Sequence, residues 1–235
     1  MKNKRNVPQF LGWLITVLIP PIILMIAVRL LITPIFAQFE YRLPGFPEDT
    51  YGFSLQDRMR WSEPSISYLV NSEPISYLEN LQFDSGEPLF NQRELSHMQD
   101  VKDVVSGMRV ALAFEMVLLL ALTVLVMTFQ KREILFLAYR RGGQGVVCII
   151  GAILAFVAIS FNDLFSWFHK LFFESGTWQF YTSDSLIRLF PLRFWQDAFI
   201  FVGVISLILG VLVIVFSSRA LKRTKKKSDQ FDRSN

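Results

Sequence analysis

The sequence predicts a mainly α-helical membrane protein. We expect a bundle of four transmembrane helices, with a small extracytoplasmic α+β cap between helices 1 and 2 and an interfacial segment between helices 3 and 4. The chain is 52% hydrophobic and only 19% charged, which is too apolar for most soluble proteins. Four windows of about 20 residues almost free of charge are long enough to cross a hydrocarbon core roughly 30 Å thick.

These windows divide the chain into eight segments. The first window is longer than the roughly 7–15 apolar residues of a signal peptide, so we interpret it as an uncleaved anchor. The predicted segments are 1–33 for the N-terminus and first span, 34–107 for the cap, 108–129 for the second span, 130–144 for a cytoplasmic loop, 145–165 for the third span, 166–197 for the interfacial segment, 198–216 for the fourth span and 217–235 for a basic cytoplasmic tail.

Lysine and arginine near the span ends predict that both termini are cytoplasmic, because positively charged short loops are retained on that side. The formal charge of +4 is explained by this anchoring and by attraction of the tail to membrane phospholipid, so nucleic-acid binding is not expected. The cations concerned are Lys2, Lys4 and Arg5, then Lys131, Arg132, Arg140 and Arg141, then Arg219, Lys222, Arg223, Lys225, Lys226 and Lys227.

Several kinds of chemistry have no support in the sequence. The one cysteine, Cys148, excludes an intrachain disulfide, dithiol redox chemistry and cysteine-rich metal sites. No pattern typical of zinc proteases, common serine hydrolases or nucleotide-driven pumps is present. The two histidines could ligate a metal together with Asp100 or Asp184, but a catalytic zinc needs three protein ligands and the spacing indicates no third. We therefore expect no metal and no cofactor.

The predicted cap contains a near repeat, Ser62–Leu69 and Ser72–Leu78. Each copy begins with a serine that can cap a helix and a proline suited to a first turn, so we expect two short helices, or a helix and a turn. The Asp-Ser-Gly turn within Gln82–Phe90 predicts two short strands. Asn91 and Glu94 then have the spacing of a capping box, which predicts a helix that runs into the second span.

The predicted topology brings both histidines of the chain, His97 and His169, to the outer surface of the bilayer. An unperturbed pKa of about 6.5 suits histidine to proton transfer, so a pair of general bases is conceivable. Glu94 and Asp100 lie three residues on either side of His97 and could orient its ring, and Ser166 shares a helix face with His169. The simpler alternative is an ordinary helix residue at His97 and an interfacial anchor at His169.

The spans and the interfacial segment contain further polar and aromatic residues. Glu115 lies inside the second span, where a charge is usually paired or functional, and Arg29 near the end of the first span is a candidate partner. A small permease with these two residues on a polar path is one interpretation. The aromatic residues Trp167, Trp178, Tyr181 and Trp195 fit a belt at the membrane interface.

Four stretches of the sequence resemble the lipoprotein intramolecular transacylase (Lit) family, and the match covers nearly the whole chain. The most specific is the His-Met-x-Asp-Val-Lys core that begins at His97. The full set is Glu94–Lys102, Phe168–Trp178, Leu189–Asp197 and Tyr51–Ser54.

The resemblance implies an acyltransferase of the bacterial cytoplasmic membrane, with its active site at the extracytoplasmic face. The sn-2 acyl chain of a diacylglyceryl-modified lipoprotein would move to the α-amino group of the same lipoprotein, giving the lyso form. His97 and His169 match the family's two catalytic histidines, acting as general acid and base in an order left open. Asp100 could orient His97, and Lys102 or Arg188 could stabilise charge on the ester oxygen. The alternative is a non-enzymatic membrane scaffold or assembly subunit.

Overall fold

The structure is a computed structural model that describes residues 6–234, with side chains described as far as Lys226. The predicted anchoring cations Lys2, Lys4 and Arg5, and the side chain of Lys227, lie outside the described part. The regular structure is helical, and the helices are α1 (Val7–Leu31), α2 (Pro34–Glu40), α3 (Leu55–Tyr68), α4 (Ser76–Glu79), α5 (Gln92–Thr128), α6 (Arg132–Phe172), α7 (Ser185–Leu189) and α8 (Leu192–Ser234).

Four helices, α1, α5, α6 and α8, are long and apolar enough to cross a membrane, which confirms the four predicted spans. With 37 and 41 residues, α5 and α6 measure about 55 and 60 Å at roughly 1.5 Å per residue, more than the hydrocarbon core. Both therefore extend beyond the apolar windows 108–129 and 145–165, and the extensions carry His97 and His169. Most of the segment predicted as the loop 130–144 is helical, because α6 begins at Arg132.

The chain forms two compact units. The first contains α1 up to Ala27, α5 from Val110, α6 up to Ala155 and α8 from Val202. In this unit α6 and α8 approach closely at a pair of glycines. A Cβ on Gly143 of α6 would lie 2.8 Å from the carbonyl oxygen of Gly210 in α8. Small residues allow such contact between membrane helices, whose packing has no hydrophobic driving force in lipid. The apolar core includes Leu11, Ile15, Ile19, Leu122, Val126, Val146 and Ile150.

The second unit, Val28–Arg109 together with Phe156–Phe201, contains the predicted cap and interfacial segment. Its core is rich in aromatic residues and includes Phe36, Tyr41, Trp61, Tyr68, Leu78, Phe90, Leu189 and Phe194. Tyr41 donates a hydrogen bond to the carbonyl of Leu189 at 3.0 Å, and Arg58 donates to the carbonyl of Arg188 at 3.1 Å. These bonds attach α2 and α3 to the α7 region, so the two outward segments of the sequence form one packed structure.

The near repeat folds differently in its two copies. The first lies within α3, whose cap is Ser54 in a capping box with Asp57, so Pro64 stands inside the helix and Ser62 caps nothing. The second copy forms a turn followed by α4, which has only four residues. The prediction of a helix and a turn is confirmed, but the serine assigned as the cap of the first copy was wrong.

The predicted β part of the cap was also wrong, since the described residues contain no strand. Between Gln82 and Phe90 there is a single isolated bridge, which pairs Gln82 with Pro88. The turn itself is present, with Gly86 at a positive φ of 87°. The bridge is formed by the N–H of Phe83 to the Glu87 carbonyl and the N–H of Leu89 to the Leu81 carbonyl, whereas the N–H of Leu81 donates to Leu78. The pairing therefore does not extend into a ladder, and an isolated two-stranded hairpin is only marginally stable. The cap is therefore helical.

We expect G143A to destabilise the first compact unit. The added methyl group would meet the backbone of α8 and not a flexible side chain, and overpacking of this kind costs about 1–3 kcal/mol. Thermal unfolding of the purified protein in detergent should show a lower Tm. G151A on the same helix is the matched control, because a Cβ there has no neighbour within 4 Å. Equal Tm values for the two variants would contradict the close packing of α6 on α8.

Candidate active site

The rings of His97 and His169 meet within the second compact unit. His97 lies in the second turn of α5 and His169 in the last turn of α6, yet their ring centroids are 6.4 Å apart with only 20° between the ring planes. The two imidazoles therefore belong to one site. Residues 72 positions apart in sequence are thereby brought to one site.

The start of α5 is fixed by Glu94, one turn before His97. The predicted capping box is confirmed: the N–H of Glu94 donates to Asn91 Oδ1 at 3.1 Å, and the N–H of Asn91 donates to Glu94 Oε2 at 2.8 Å. The other oxygen, Oε1, accepts a bond of 2.8 Å from the N–H of Leu186 in α7. Because backbone groups occupy both oxygens, Glu94 positions the helix and does not orient the ring of His97.

Asp184 strengthens this junction from the other side. Its carboxylate forms an ion pair of 2.8 Å with Arg93 and accepts a hydrogen bond of 3.3 Å from Asn91. The buried carboxyl group of Glu94 has a raised pKa because it is desolvated, although its two backbone hydrogen bonds act in the opposite direction. The beginning of α5 and the beginning of α7 are thus held together by polar contacts next to the histidine pair.

The end of α6 is set apart by a break at Ser160, whose φ of −152° and ψ of 76° are not helical. Three turns later, His169 Nδ1 lies 2.8 Å from the carbonyl oxygen of Phe165. A carbonyl only accepts, so Nδ1 carries the proton and the lone pair of the neutral ring lies on Nε2. Ser166, the predicted helper, forms no hydrogen bond with His169 in the described part of the chain; the Phe165 carbonyl orients the ring instead.

Aromatic side chains enclose both imidazoles. Phe173 and Phe180 lie edge-on to His97 with centroid distances of 5.0 and 5.3 Å, and Trp178 lies 4.9 Å from His169. Two polar atoms in this cluster are buried without a hydrogen-bond partner among the described residues, Nδ1 of His97 and Nε1 of Trp178. The sequence analysis assigned Trp178 to an aromatic belt at the membrane interface. The one signal that pointed to the site was its position within a stretch that resembles the family.

Burial controls the charge of both rings. Desolvation lowers the pKa of His97 to about 4, with a smaller contribution from His169. Desolvation also lowers the pKa of His169, against the effect of its bond to Phe165. Both imidazoles are therefore neutral at pH 7 and able to accept protons.

The other predicted site residues make contacts elsewhere in the second unit. Lys102 donates to Asn71 Oδ1 at 3.2 Å, and its Nζ lies 3.8 Å from the ring centroid of Tyr68. These two contacts hold the chain between α3 and α4 in place. Arg188 forms an ion pair of 3.0 Å with Asp49 and stacks on Phe53 at 3.4 Å. Both cations therefore hold parts of the cap in place.

The remaining charged candidates are not joined to the histidine pair by hydrogen bonds in the described part. Desolvation raises the pKa of Asp100, and the charges of Asp103 and Glu174 act in the same direction. Arg29 donates to the carbonyl of Ile32 at 3.3 Å, and Glu115 Oε2 is buried without a partner among the described residues. No group of three or more histidine, cysteine, aspartate or glutamate side chains in this part of the chain could hold a metal ion.

Comparison with known proteins identifies the family. The family model of the lipoprotein intramolecular transacylase Lit matches residues 13–195 of this chain. The chain belongs to the lipoprotein intramolecular transacylase family. One relative, an uncharacterized protein of Aquifex aeolicus (strain VF5), is 26% identical over 206 residues, which cover 88% of this chain and 92% of the relative.

The fold is that of solved Lit structures. The lipoprotein intramolecular transacylase Lit from Bacillus cereus superposes with a TM-score of 0.75 at 15% identity, covering 94% of this chain and 99% of that one. A histidine-to-arginine variant of the same enzyme gives a TM-score of 0.73 at 16% identity, with coverage of 96% and 97%. Together with the four apolar helices, this similarity establishes a multi-pass membrane protein of the Lit fold.

The buried imidazole of His97 predicts a specific dependence of stability on pH. Its folded-state pKa of about 4 lies below the ordinary 6.5, so between these values the unfolded chain binds a proton that the folded chain does not. Stability should fall on acidification through this window. H97F removes the effect, so the Tm in detergent should fall less for H97F than for the wild type between about pH 6.5 and pH 4. Parallel curves would contradict the burial of this ring.

Proposed function

We propose that this protein transfers the sn-2 acyl chain of a diacylglyceryl-modified lipoprotein to the α-amino group of the same lipoprotein, giving the lyso form. One observation carries the proposal: the two histidine rings of a Lit-family chain lie 6.4 Å apart in an aromatic enclosure. Both imidazoles are neutral near pH 7, as acceptance of a proton from an amine requires.

The two histidines match the proton changes of this reaction. Near neutral pH the α-amine is largely protonated, so it loses one proton to become a nucleophile and a second after the C–N bond forms. The leaving glycerol oxygen takes up one proton as the ester C–O bond breaks. One proton is therefore returned to the substrate and one is released to water, which balances the change from an ammonium ion and an ester to an amide and an alcohol.

The geometry favours different roles for the two rings. The Nδ1–H of His169 is held by Phe165, so Nε2 is its constant basic atom and removes the proton from the attacking nitrogen. We assign to His97, whose Nδ1 has no partner among the described residues, the first proton of the ammonium group and its return to the glycerol oxygen. The low pKa of His97 makes its protonated form a good acid for that return.

The aromatic enclosure supplies the remaining requirements. Donor ester and acceptor amine belong to one molecule, so the enzyme mainly folds its substrate into attack geometry, for which large effective molarities are available. No covalent acyl-enzyme intermediate is needed. Phe173, Phe180 and Trp178 exclude water from the imidazoles, which favours transfer to the amine over hydrolysis of the ester.

Trp178 is our candidate for the group that stabilises negative charge on the ester oxygen. Its indole N–H is a donor only, is buried without a partner among the described residues, and belongs to a ring in contact with His169. A fixed donor in a dry site is most effective where charge develops in the transition state. Lys102 and Arg188 have other partners in the cap, so Trp178 is better placed for this role.

The predicted orientation belongs to the proposal. The relevant cations lie where the spans end away from the two histidine-bearing ends of α5 and α6. They are Lys131 and Arg132 between α5 and α6, and Arg219 and Arg223 after the apolar part of α8. With these cations retained in the cytoplasm, the histidine pair lies at the extracytoplasmic face, where lipoproteins are anchored.

H97A and H169A should each abolish acyl relocation. General acid–base catalysis by a positioned side chain contributes about 10²–10⁴-fold, so we expect a loss of at least about 100-fold. The purified protein is reconstituted with a synthetic diacylated lipopeptide, and fragmentation mass spectrometry locates the acyl chain on the amine at unchanged total mass.

K170A is the matched control, because Lys170 neighbours His169 but its side chain is exposed. Wild-type rates in both histidine variants would reject the mechanism, and absence of relocation by the wild-type protein would favour the non-enzymatic scaffold.

W178F should retain substrate binding but lower the rate of transfer. Loss of one donor to a developing oxyanion typically costs about 10²–10³-fold in kcat, and phenylalanine keeps the apolar wall without the N–H. W167F is the control, since Trp167 is 63% exposed on the same helical segment as His169. A reduction of kcat with KM unchanged is expected for W178F alone; a change confined to KM would show that Trp178 only shapes the pocket.

A further inference from the structure

A second cavity lies in the first compact unit, away from the histidine pair in sequence. It has a volume of about 370 Å³ and is lined by residues of α6 and α8, among them Arg132, Phe136, Phe216, Arg219, Arg223 and Thr224. We infer that this cavity binds the phosphate headgroup of an anionic phospholipid. The inference does not depend on the acyl-transfer reaction.

Three arginines are among the residues that line the cavity. Arg219 and Arg223 are four residues apart on α8 and therefore neighbours on its surface, where like charges repel each other. Arg132 comes from the other helix. Within residues 6–226 none of the three forms an ion pair, although Glu133 directly follows Arg132. A bound anion would relieve this repulsion and supply the missing counter-charge.

The position of Arg132 adds a second attraction for an anion. It is the first residue of α6, a helix of 41 residues, whose first-turn N–H groups have no partner within the helix. The N-terminal end of a helix attracts negative charge through these groups and through the helix dipole. Arginine also binds phosphate with two parallel hydrogen bonds, which lysine cannot do.

The two phenylalanines indicate an amphiphilic ligand. Phe216 is 63% exposed, and with Phe136 it gives the cavity an apolar wall beside the arginines. A free phosphate ion would gain nothing from that wall, whereas the glycerol and first acyl carbons of a phospholipid would bury apolar surface against it. The lysines of the same helix, Lys222, Lys225 and Lys226, do not line the cavity.

The experiment measures lipid binding to the full-length protein purified in a neutral detergent. Phosphatidylglycerol, phosphatidylcholine and inorganic phosphate are titrated separately, and bound lipid is counted by native mass spectrometry alongside the Tm. We expect phosphatidylglycerol to remain bound and to raise the Tm, with little effect of the other two. R219Q/R223Q should weaken phosphatidylglycerol binding by about tenfold or more, since each charge-assisted bond lost is worth about that factor.

K225Q/K226Q removes the same charge outside the cavity and should bind like the wild type. Equal weakening in both double variants would overturn the site in favour of general surface attraction. Phosphatidylcholine binding as tightly as phosphatidylglycerol would also overturn it, and so would inorganic phosphate giving the same stabilisation. If R219Q/R223Q does not fold, R132Q tests the same cavity from α6 and should likewise weaken phosphatidylglycerol binding; F216S should weaken it through loss of the apolar wall.

Discussion

The position of His97 depends on the buried carboxylate of Glu94. This group closes the first turn of α5 and at the same time accepts the N–H of Leu186 in α7, so one side chain joins the two outward segments of the chain. Removing it would leave two backbone donors unsatisfied, at about 1–3 kcal/mol each. Since His97 lies one turn further along the same helix, any shift of this junction changes the distance between the two imidazoles.

The apolar surroundings determine which chemistry the imidazole pair can perform. Desolvation keeps both rings neutral, and the Phe165 carbonyl fixes the proton of His169 on Nδ1. Attack of an amine on an ester needs acceptors for two protons and a donor for one, but no charged nucleophile. A dry site with two neutral bases meets this need, and it disfavours water as a competing nucleophile. Catalysis then depends mainly on substrate placement.

Much of this organisation was predictable because its signals are local or rest on composition. Charge-free windows identify membrane helices, because lipid offers no hydrogen bonds to the backbone and a helix satisfies its own N–H and C=O groups. The Asn91–Glu94 spacing correctly predicted the start of α5, because a capping box is formed within one turn. The strand prediction at Gln82–Phe90 failed because the Leu81 N–H and the Phe83 carbonyl, which would continue the pairing, bond to Leu78 and Gly86 instead.

The choice of partners for charged side chains was not predictable, because it is decided by tertiary structure. Lys102 ends one of the stretches that resemble the family and Arg188 directly precedes another, yet their contacts are with Asn71 and Asp49, far away in sequence. The role that we propose for Trp178 was hidden for the same reason, since an interfacial tryptophan and an active-site donor look alike in sequence.

The unpartnered polar atoms of the pocket connect the fold to the reaction. An unpaired buried donor or acceptor costs about 1–3 kcal/mol, so the exposed surface would be the cheaper place for the Trp178 N–H and the His97 Nδ1. Both lie instead beside His169 among phenylalanines. A substrate that presents an ester oxygen to the indole and an ammonium group to the imidazole would satisfy both atoms at once. Binding would thereby recover the free-energy cost of leaving these two atoms unpaired, and most fully when charge has developed on the oxygen.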